Sequence, residues 1–296
     1  MKRNVGYLYL LITFFCWGSI YVVSKYALEV MGPVTVSFCW YGIALICLYG
    51  ILKLKGCHKK VQKEHWPYLM ILGGLGYFAA IILQLAGTAR LSGSLSSLMN
   101  SLNPVAISVM AAIFLKERIT WKNAIGIVIS LAGIYVILGT GELQADLMGI
   151  LFSAGSVILW SAASVSIRRI SEYYDPVQTA LYGMAIALIL NVPAAVFENM
   201  FIFRSHPTEK ALLACLFVAV VGTAVAHTFW NKSLQQLSAS TCSMFYPLQP
   251  LVSAVLGVVL LHEIITWQFV AGAVLICSGI VINFLPFMPN KEKIAR

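Results

Sequence analysis

Long apolar stretches separated by short polar segments follow one another along the whole chain. Ten such stretches of about 19 to 24 residues can be marked, and each is long enough as a helix to cross a hydrocarbon core about 30 Å thick. Because backbone polar groups in lipid have no water to bind, apolar runs of this length are predicted to be helices. The ten predicted spans cover approximately residues 5–24, 34–52, 67–89, 92–115, 121–139, 147–167, 176–197, 210–233, 238–261 and 267–287.

The second half of the chain repeats the pattern of polar residues, prolines and glycines found in the first half. Five positions of the first half reappear 146 residues later (250 − 104 and 263 − 117): Asn103, Pro104, Glu117, Gly126 and Gly133 correspond to Gln249, Pro250, Glu263, Gly272 and Gly279. Trp17 and Trp160 extend the repeat to the first helix of each half, at an interval of 143 residues (160 − 17). The paired glycines recur two turns apart on one helix face, a spacing that predicts close helix packing.

Each half is predicted to hold five helices, so the chain is an all-α polytopic membrane protein with ten transmembrane helices. Residues 1–140 form the first repeat and residues 141–296 the second, within one integrated membrane domain. An odd number of crossings in each copy makes the two copies run in opposite directions across the membrane. Inverted repeats of this kind are typical of secondary transporters, whose solute sites lie near the bilayer midplane between the repeats.

Composition and charge agree with a membrane location and indicate an orientation. The chain is 60% hydrophobic and 10% charged, with a mean hydropathy of +0.86, whereas soluble domains carry about 25% charged residues. With the N-terminus inside, sixteen of the twenty Lys and Arg residues lie inside, and only Lys25, Arg90, Arg204 and Lys210 lie outside. This distribution follows the positive-inside rule and predicts cytoplasmic termini in the plasma membrane. The net charge of +9 therefore requires no nucleic-acid partner.

The repeated run resembles a known family. The residues that carry the resemblance are the serine-rich segment from Ser92, Asn103-Pro104 and the segment from Leu115 through Glu117 to Thr120, with an echo from Ser238 through Glu263 to Thr266. They resemble the EamA-type branch of the drug/metabolite transporter superfamily over nearly the whole chain. The resemblance implies a ten-helix carrier of amino acids, other metabolites or drugs. It also implies a cavity between the halves, lined mainly by the first, third and fourth helices of each.

Proline interrupts the hydrogen bonding of the fourth and ninth predicted helices. Pro104 cannot donate to the carbonyl of Asn100, and Pro250 cannot donate to that of Tyr246. Irregular backbone at membrane depth is tolerated where it faces protein or a water-filled cavity. Solute contact is therefore predicted for Asn100, Asn103, Tyr246 and Gln249. The alternative is a kink whose polar groups are satisfied by neighbouring helices.

Further polar and aromatic side chains at mid-span complete the predicted solute site. They are Tyr77 and Gln84 in the third helix, His227 and Trp230 in the eighth, and the equivalent tryptophans Trp17 and Trp160. A polar group in mid-span is costly unless it has a partner or water, and is therefore a candidate functional residue. His227 titrates near neutral pH in its ordinary state, which makes a proton a candidate coupling ion. Packing is the alternative role for the histidine and for the tryptophans.

The charged residues stay away from mid-span. Every acidic residue lies at the end of a span or in a loop, and Glu117 and Glu263 lie at helix ends on opposite faces. Structural or gating roles are predicted for these two glutamates and for Pro104 and Pro250. Without an embedded carboxylate, a dedicated cation/proton antiporter is disfavoured. A strongly anionic solute is disfavoured as well, since it would need an embedded cation.

The sequence thus predicts a secondary carrier of small neutral or zwitterionic metabolites, with export of amino acids or related compounds as the first expectation. No ATP-binding motif, metal site or cofactor motif is present in the sequence, so transport is expected to be downhill or coupled to an ion. An intramembrane enzyme is disfavoured because no motif orders an acid, a base and a nucleophile. A multidrug exporter of the same fold and a membrane scaffold or sensor without flux are the remaining alternatives.

Overall fold

Helices make up the regular secondary structure of this protein wherever the computed structural model describes it. The described residues are 2–56, 58–115, 121–138, 146–170, 173–234 and 245–284, and no β-strand occurs among them. Glu117, one of the predicted gating residues, lies outside the described residues.

The helical stretches follow the predicted spans closely. They are α1 (Lys2–Leu28), α2 (Pro33–Lys55), α3 (Lys63–Arg90), α4a (Gly93–Asn100), α4b (Asn103–Leu115), α5 (Trp121–Leu138), α6 (Leu147–Ile170), α7 (Pro176–Ile202), α8 (Glu209–Phe217, Val218–Val225 and Ala226–Leu234 in succession), α9 (Leu248–Leu261) and α10 (Trp267–Phe284). Among the described residues, six helices are long and apolar enough to cross a bilayer, and shorter apolar helices lie in α5, α9 and α10. The protein is a multi-pass membrane protein, as predicted; the number of ten spans stays a prediction.

Local signals in the sequence account for several helix ends. Pro33 and Pro176 stand in the first turns of α2 and α7, where a missing N–H removes no helical hydrogen bond. The hydroxyl of Ser92 accepts from the amide of Leu95 at 3.1 Å and so caps α4a. Gly56 ends α2 in the left-handed conformation (φ 64°), which glycine adopts without steric cost. The ends are therefore encoded by the residues that flank each apolar run.

The helices of the first half pack chiefly on helices of the second half. α2 packs on α7, α4a on α9 and α5 on α10, which are equivalent helices in the two copies. α1 packs on α8 and α9, whereas α3 and α4b pack on α6. The equivalent helices are α1 and α6, α3 and α8, and α4 and α9. If each helix is replaced by its equivalent, the α1–α8 contact becomes the α6–α3 contact, and the α1–α9 contact becomes the α6–α4 contact. The main contacts of the described helices therefore stay the same when the two halves are exchanged.

Glycines bring α5 and α10 into backbone contact. A Cβ atom on Gly133 would lie 2.8 Å from the carbonyl oxygen of Gly272, and one on Gly279 would lie 2.5 Å from that of Gly126. In lipid, where apolar surface alone does not hold helices together, such close approach is a main source of association. The predicted role of these four glycines in helix packing is confirmed.

An ion pair joins the end of α3 to the start of α6. The guanidinium of Arg90 contacts the carboxylate of Asp146, which also accepts from the amides of Met148 and Gly149 at 2.9 and 3.3 Å. The Arg90 guanidinium and these amides hold the pKa of the Asp146 carboxyl below its usual range. Because the pair is exposed, it contributes little to stability, but it links the two halves at one membrane face.

Candidate functional site

A cavity of about 140 Å³ lies between the two halves, midway along the helices. Its walls come from α1, α2, α3, α4b, α6, α7, α8 and from the start of α9. The described lining residues are Trp17, Ile20, Tyr21, Trp40, Tyr41, Tyr77, Ile81, Gln84, Asn103, Trp160, Met184, Gly222, His227, Tyr246 and Gln249. The walls were predicted to come mainly from the first, third and fourth helices of each half. The structure adds the second helix of each half, α2 and α7.

Eight of the ten predicted contact residues line this cavity: Trp17, Tyr77, Gln84, Asn103, Trp160, His227, Tyr246 and Gln249. The other two lie near it but not among the described lining residues. Asn100 is buried and donates from Nδ2 to the carbonyl oxygen of Ser96 at 3.0 Å. Trp230 packs against Trp17, with ring centroids 5.4 Å apart. Contact with a solute stays a prediction for all ten.

The helix that contains Pro104 is interrupted beside the cavity by a turn over residues 101 and 102. α4a ends at Asn100 and α4b begins at Asn103, so the proline stands in the first turn of a new helix. Asn103 Nδ2 donates at 2.8 Å to the carbonyl oxygen of Asn100, to which the proline cannot donate. The side chain next to the proline therefore satisfies that carbonyl. Asn103 Oδ1 is buried and has no hydrogen-bond partner among the residues that the structure describes.

Pro250 occupies the equivalent place in α9, which begins at Leu248 after a turn over residues 245–247. The amide of Gln249 donates to the carbonyl oxygen of Tyr246 at 3.0 Å. Its side-chain Nε2 donates to the hydroxyl of Tyr21 at 3.1 Å and so connects α9 to α1. Both prolines thus stand in the first turn of a helix that begins beside the cavity.

π-helical segments occur at equivalent places in α3 and α8. They cover Leu72–Ala80 and Val218–Val225, and their first residues are 146 positions apart (218 − 72). A π segment inserts an extra residue into a helical turn and is frequent at functional sites. Tyr77 and Gly222 belong to these segments, and both line the cavity. No pattern in the sequence had indicated the two segments.

Two aromatic residues of α2, which were not among the predicted contact residues, bind these segments. Trp40 Nε1 donates to the hydroxyl of Thr223 at 2.7 Å, and the hydroxyl of Tyr41 donates to the carbonyl oxygen of Tyr77 at 2.8 Å. Positions 77 and 223 are equivalent in the repeat (223 − 77 = 146). Neighbouring residues of α2 therefore bind the same position in both halves. The available signal was a mid-span pair of large aromatic residues, whose N–H and O–H groups need buried partners.

The polar groups of the cavity are amides, hydroxyls and one imidazole. None of the described lining residues is Asp, Glu, Lys or Arg. His227 Nδ1 lies 2.9 Å from the carbonyl oxygen of Thr223, and the ring of Trp17 stands edge-on at 5.7 Å. Since a carbonyl oxygen only accepts, Nδ1 carries a proton, which leaves Nε2 of the neutral ring as an acceptor. Glu263 lies at the far end of α9 from the cavity, against the start of α4a.

Comparisons with known proteins identify relatives along most of the chain. The family described as EamA-like transporter family matches residues 4–139 and again residues 147–285. An uncharacterized transporter of Archaeoglobus fulgidus is 25% identical over 266 residues, which cover 90% of this chain and 94% of that protein. The uncharacterized transporter YoaV of Bacillus subtilis is 27% identical, covering 93% of this chain and 95% of its own.

Two further likenesses agree with these. The uncharacterized inner membrane transporter YhbE of Escherichia coli is 26% identical over 264 residues, covering 84% of this chain and 79% of its own. The crystal structure of another protein, 18% identical to this chain in sequence, superposes with a TM-score of 0.66. The match covers 95% of this chain and 96% of that one. At this identity the likeness concerns the fold alone.

Proposed function

Since this chain belongs to the EamA-like transporter family, we propose that it is a secondary transporter of small neutral or zwitterionic metabolites in the cytoplasmic membrane. Amino acids and related compounds are the proposed solutes, and export is the proposed direction. The observation that carries the proposal is the cavity of about 140 Å³, which helices of both halves line midway along their length. Clefts of this kind, apolar with a few convergent polar groups, are the usual form of small-molecule sites.

The proposed architecture is a pair of inverted five-helix repeats, residues 1–140 and 141–296, with ten crossings and cytoplasmic termini. The family matches each half separately, which supports the duplication. The exchange pattern of the helix contacts supports a two-fold relation between the halves. In such proteins the halves rock around a central site, which is then open to one side at a time.

The chemistry of the cavity favours a zwitterion. α4b and α9 begin beside it, and a helix N-terminus carries about half a unit of positive charge, which suits a carboxylate. Asn103 Oδ1 and His227 Nε2 are acceptors suited to the N–H groups of an ammonium. Aromatic rings occupy most of the remaining wall. An amino acid supplies an anion, a set of donors and an apolar side chain in one small molecule.

Two competing functions are a multidrug exporter of the same fold and a membrane scaffold without flux. A cavity of about 150 Å³ holds a molecule the size of benzene. The cavity of about 140 Å³ therefore suits a small metabolite better than a polycyclic drug. Helices that begin at membrane depth beside a cavity are expected of a carrier, whereas a scaffold has no need of them.

We expect purified protein in proteoliposomes to take up labelled amino acids in a saturable way. The uptake should exceed that of protein-free liposomes at least about tenfold, because the bilayer alone excludes zwitterions. The measurement uses a panel of amino acids and one lipophilic cation, each with and without an imposed pH gradient. Uptake of the cation alone would favour the multidrug exporter. Absence of flux for every compound would contradict transport of these classes.

His227→Gln is expected to abolish accumulation driven by a pH gradient while leaving counterflow of the solute. Glutamine keeps a donor for the carbonyl of Thr223 but cannot exchange a proton, so binding survives and coupling is lost. Counterflow and gradient-driven uptake are measured on the same proteoliposomes. His65→Gln, outside the cavity and hydrogen-bonded to the hydroxyl of Tyr174, is the matched control. Unchanged gradient-driven uptake in His227→Gln would end the proposed role.

A further inference from the structure

The tip of the α3–α4a hairpin is held by two opposite charges, one from α1 and one from the segment that follows α9. Lys25 of α1 donates from Nζ to the carbonyl oxygens of Thr88 and Leu91, at 3.0 and 2.7 Å, at the end of α3. The carboxylate of Glu263 accepts from the amides of Gly93 and Ser94, at 2.5 and 3.2 Å, at the start of α4a. It also accepts from the Ser94 hydroxyl. We call Lys25, Glu263 and this hairpin tip the outer clamp.

Each charge matches the end of the helix that it binds. The C-terminal end of a helix presents carbonyl oxygens and partial negative charge, and the N-terminal end presents amides and partial positive charge. The ammonium of Lys25 binds the first kind of end and the carboxylate of Glu263 the second. The clamp is therefore a pair of charge–helix contacts, and the two charged groups bind the hairpin rather than one another.

The backbone around Glu263 positions its carboxylate at the start of α4a. His262 ends α9 in the left-handed conformation (φ 53°), and the amide of Glu263 turns back to the carbonyl oxygen of Gly257 at 3.1 Å. A Cβ on Gly257 would overlap the Glu263 carboxylate and lie 2.8 Å from the Ser94 hydroxyl. Only glycine leaves room for the carboxylate between α9 and α4a.

The clamp lies directly outside the cavity. Tyr21, Gln84 and Gln249 line the cavity. One helical turn further out on the same three helices stand Lys25, Thr88 and Ser253. Ser253 donates from its hydroxyl to the carbonyl oxygen of Gly93 at 3.0 Å. Each of the three helices thus places a clamp contact one turn beyond a lining residue.

We propose that the outer clamp is the gate that closes the cavity toward the face where α1 ends. That face is the outer one in the proposed orientation, and the inference rests on the proposed carrier function. When Lys25 and Glu263 hold the hairpin tip, α1, α4a and α9 are packed together and the solute has no path outward. Release of the solute requires Glu263, which belongs to the second half, to leave the start of α4a.

The test measures access to the cavity and does not depend on transport. A single cysteine is introduced by Ile81→Cys in a chain whose native cysteines are replaced by serine, because Ile81 lines the cavity. A membrane-impermeant thiol reagent is added from the outer side of oriented vesicles, and the rate of modification is measured. We expect Glu263→Gln and Lys25→Gln each to raise this rate about tenfold. Unchanged rates in both would overturn the gate.

Two further variants test whether the gate depends on charge–helix contacts. Exchanging the charges, Lys25→Glu with Glu263→Lys, should leave the cavity accessible, because each charge then faces the wrong helix end. Recovery of the slow rate would show a simple ion pair and overturn the clamp as described. Ser94→Ala removes one donor and keeps both charges, so a rise of about threefold is expected even if the charge variants fold poorly. No change there, in folded protein, would count against the proposal.

Glu198 offers a matched control on the same face. Its carboxylate accepts from the amides of Val34 and Thr35, at 3.0 and 2.9 Å, and so holds the start of α2 from α7. α2 and α7 pack extensively on one another, so the loss of this one contact is not expected to open a path between them. Glu198→Gln should leave the modification rate unchanged. A rise equal to that of Glu263→Gln would show that the effect comes from a general loosening of helix packing. Faster labelling of the variants together with absence of flux would uphold the gate and refute the carrier function. Flux together with unchanged labelling would uphold the carrier function and refute the gate.

Discussion

Gly279→Leu is expected to abolish most of the folded protein. A Cβ at this position would already overlap Ser130 Oγ and lie 2.5 Å from the carbonyl oxygen of Gly126. The second contact is with backbone, which cannot rotate away, so α5 and α10 must separate to admit a side chain. Overpacking of this kind costs about 1 to 3 kcal/mol and occasionally more, which is a large part of the stability of an ordinary protein.

The measurement is the monodisperse fraction of detergent-purified protein and the midpoint of its thermal unfolding. Gly42→Leu is the matched control, since no atom outside its own stretch of helix lies within 4 Å of a Cβ built at Gly42. The control should remain close to the unmodified protein in both respects. A Gly279→Leu protein as stable as this control would show that α5 and α10 do not need their backbone contact.

The second large effect is expected in the cavity, from Trp17→Ala and Trp160→Ala. Both indoles line the cavity, one from each half, and Trp160 stands edge-on to Tyr77 with ring centroids 5.5 Å apart. Removing one indole from a solute that it covers costs about 2 kcal/mol, or a roughly 30-fold rise in the dissociation constant. The folded yield should change little, because both indoles are only partly buried and border the cavity.

Affinity is measured by titration of the solute identified in the flux assay. Trp121→Ala is the control, because that indole is 85% exposed on α5 and has no place in the cavity wall. It should bind with unchanged affinity. If Trp17→Ala and Trp160→Ala do so too, their indoles serve packing, and the solute lies elsewhere.

Much of the cavity lining could be predicted because positions in the middle of an apolar span are chemically restrictive. A side chain such as Gln84, Asn103 or His227 in the middle of an apolar run must find a partner or water. The number of places that provide either is small, and in this fold the space between the halves is one of them. The repeat narrowed the choice further, since Trp17 and Trp160 hold equivalent positions.

Spacing along one helix could not identify the neighbour of each side chain. Trp230 lies one turn from His227, as predicted, yet it packs on Trp17 rather than lining the cavity. Asn100 is buried against its own helix through Ser96. Helical periodicity gives the face on which a residue lies, whereas the occupant of the space opposite that face depends on the other helices.

Trp40 and Tyr41 show the converse case. By composition they belong to an apolar span, with nothing to separate them from packing residues. They enter the site because the π segments of α3 and α8 bring Tyr77 and Thr223 within hydrogen-bonding distance. Those segments depend on contacts between helices, and a single-helix pattern does not record such contacts.

The sequence by itself determined the helices, the membrane location, the repeat and most of the polar residues of the cavity. These follow from local rules, because each apolar run must satisfy its own backbone in lipid and each embedded polar group is costly. The tertiary structure decided the break before Asn103, the place of α2 in the wall and the binding of Glu263 to the start of α4a. Each of these is a contact between segments far apart in the chain, so its energy is absent from any one segment and arises only when the helices pack.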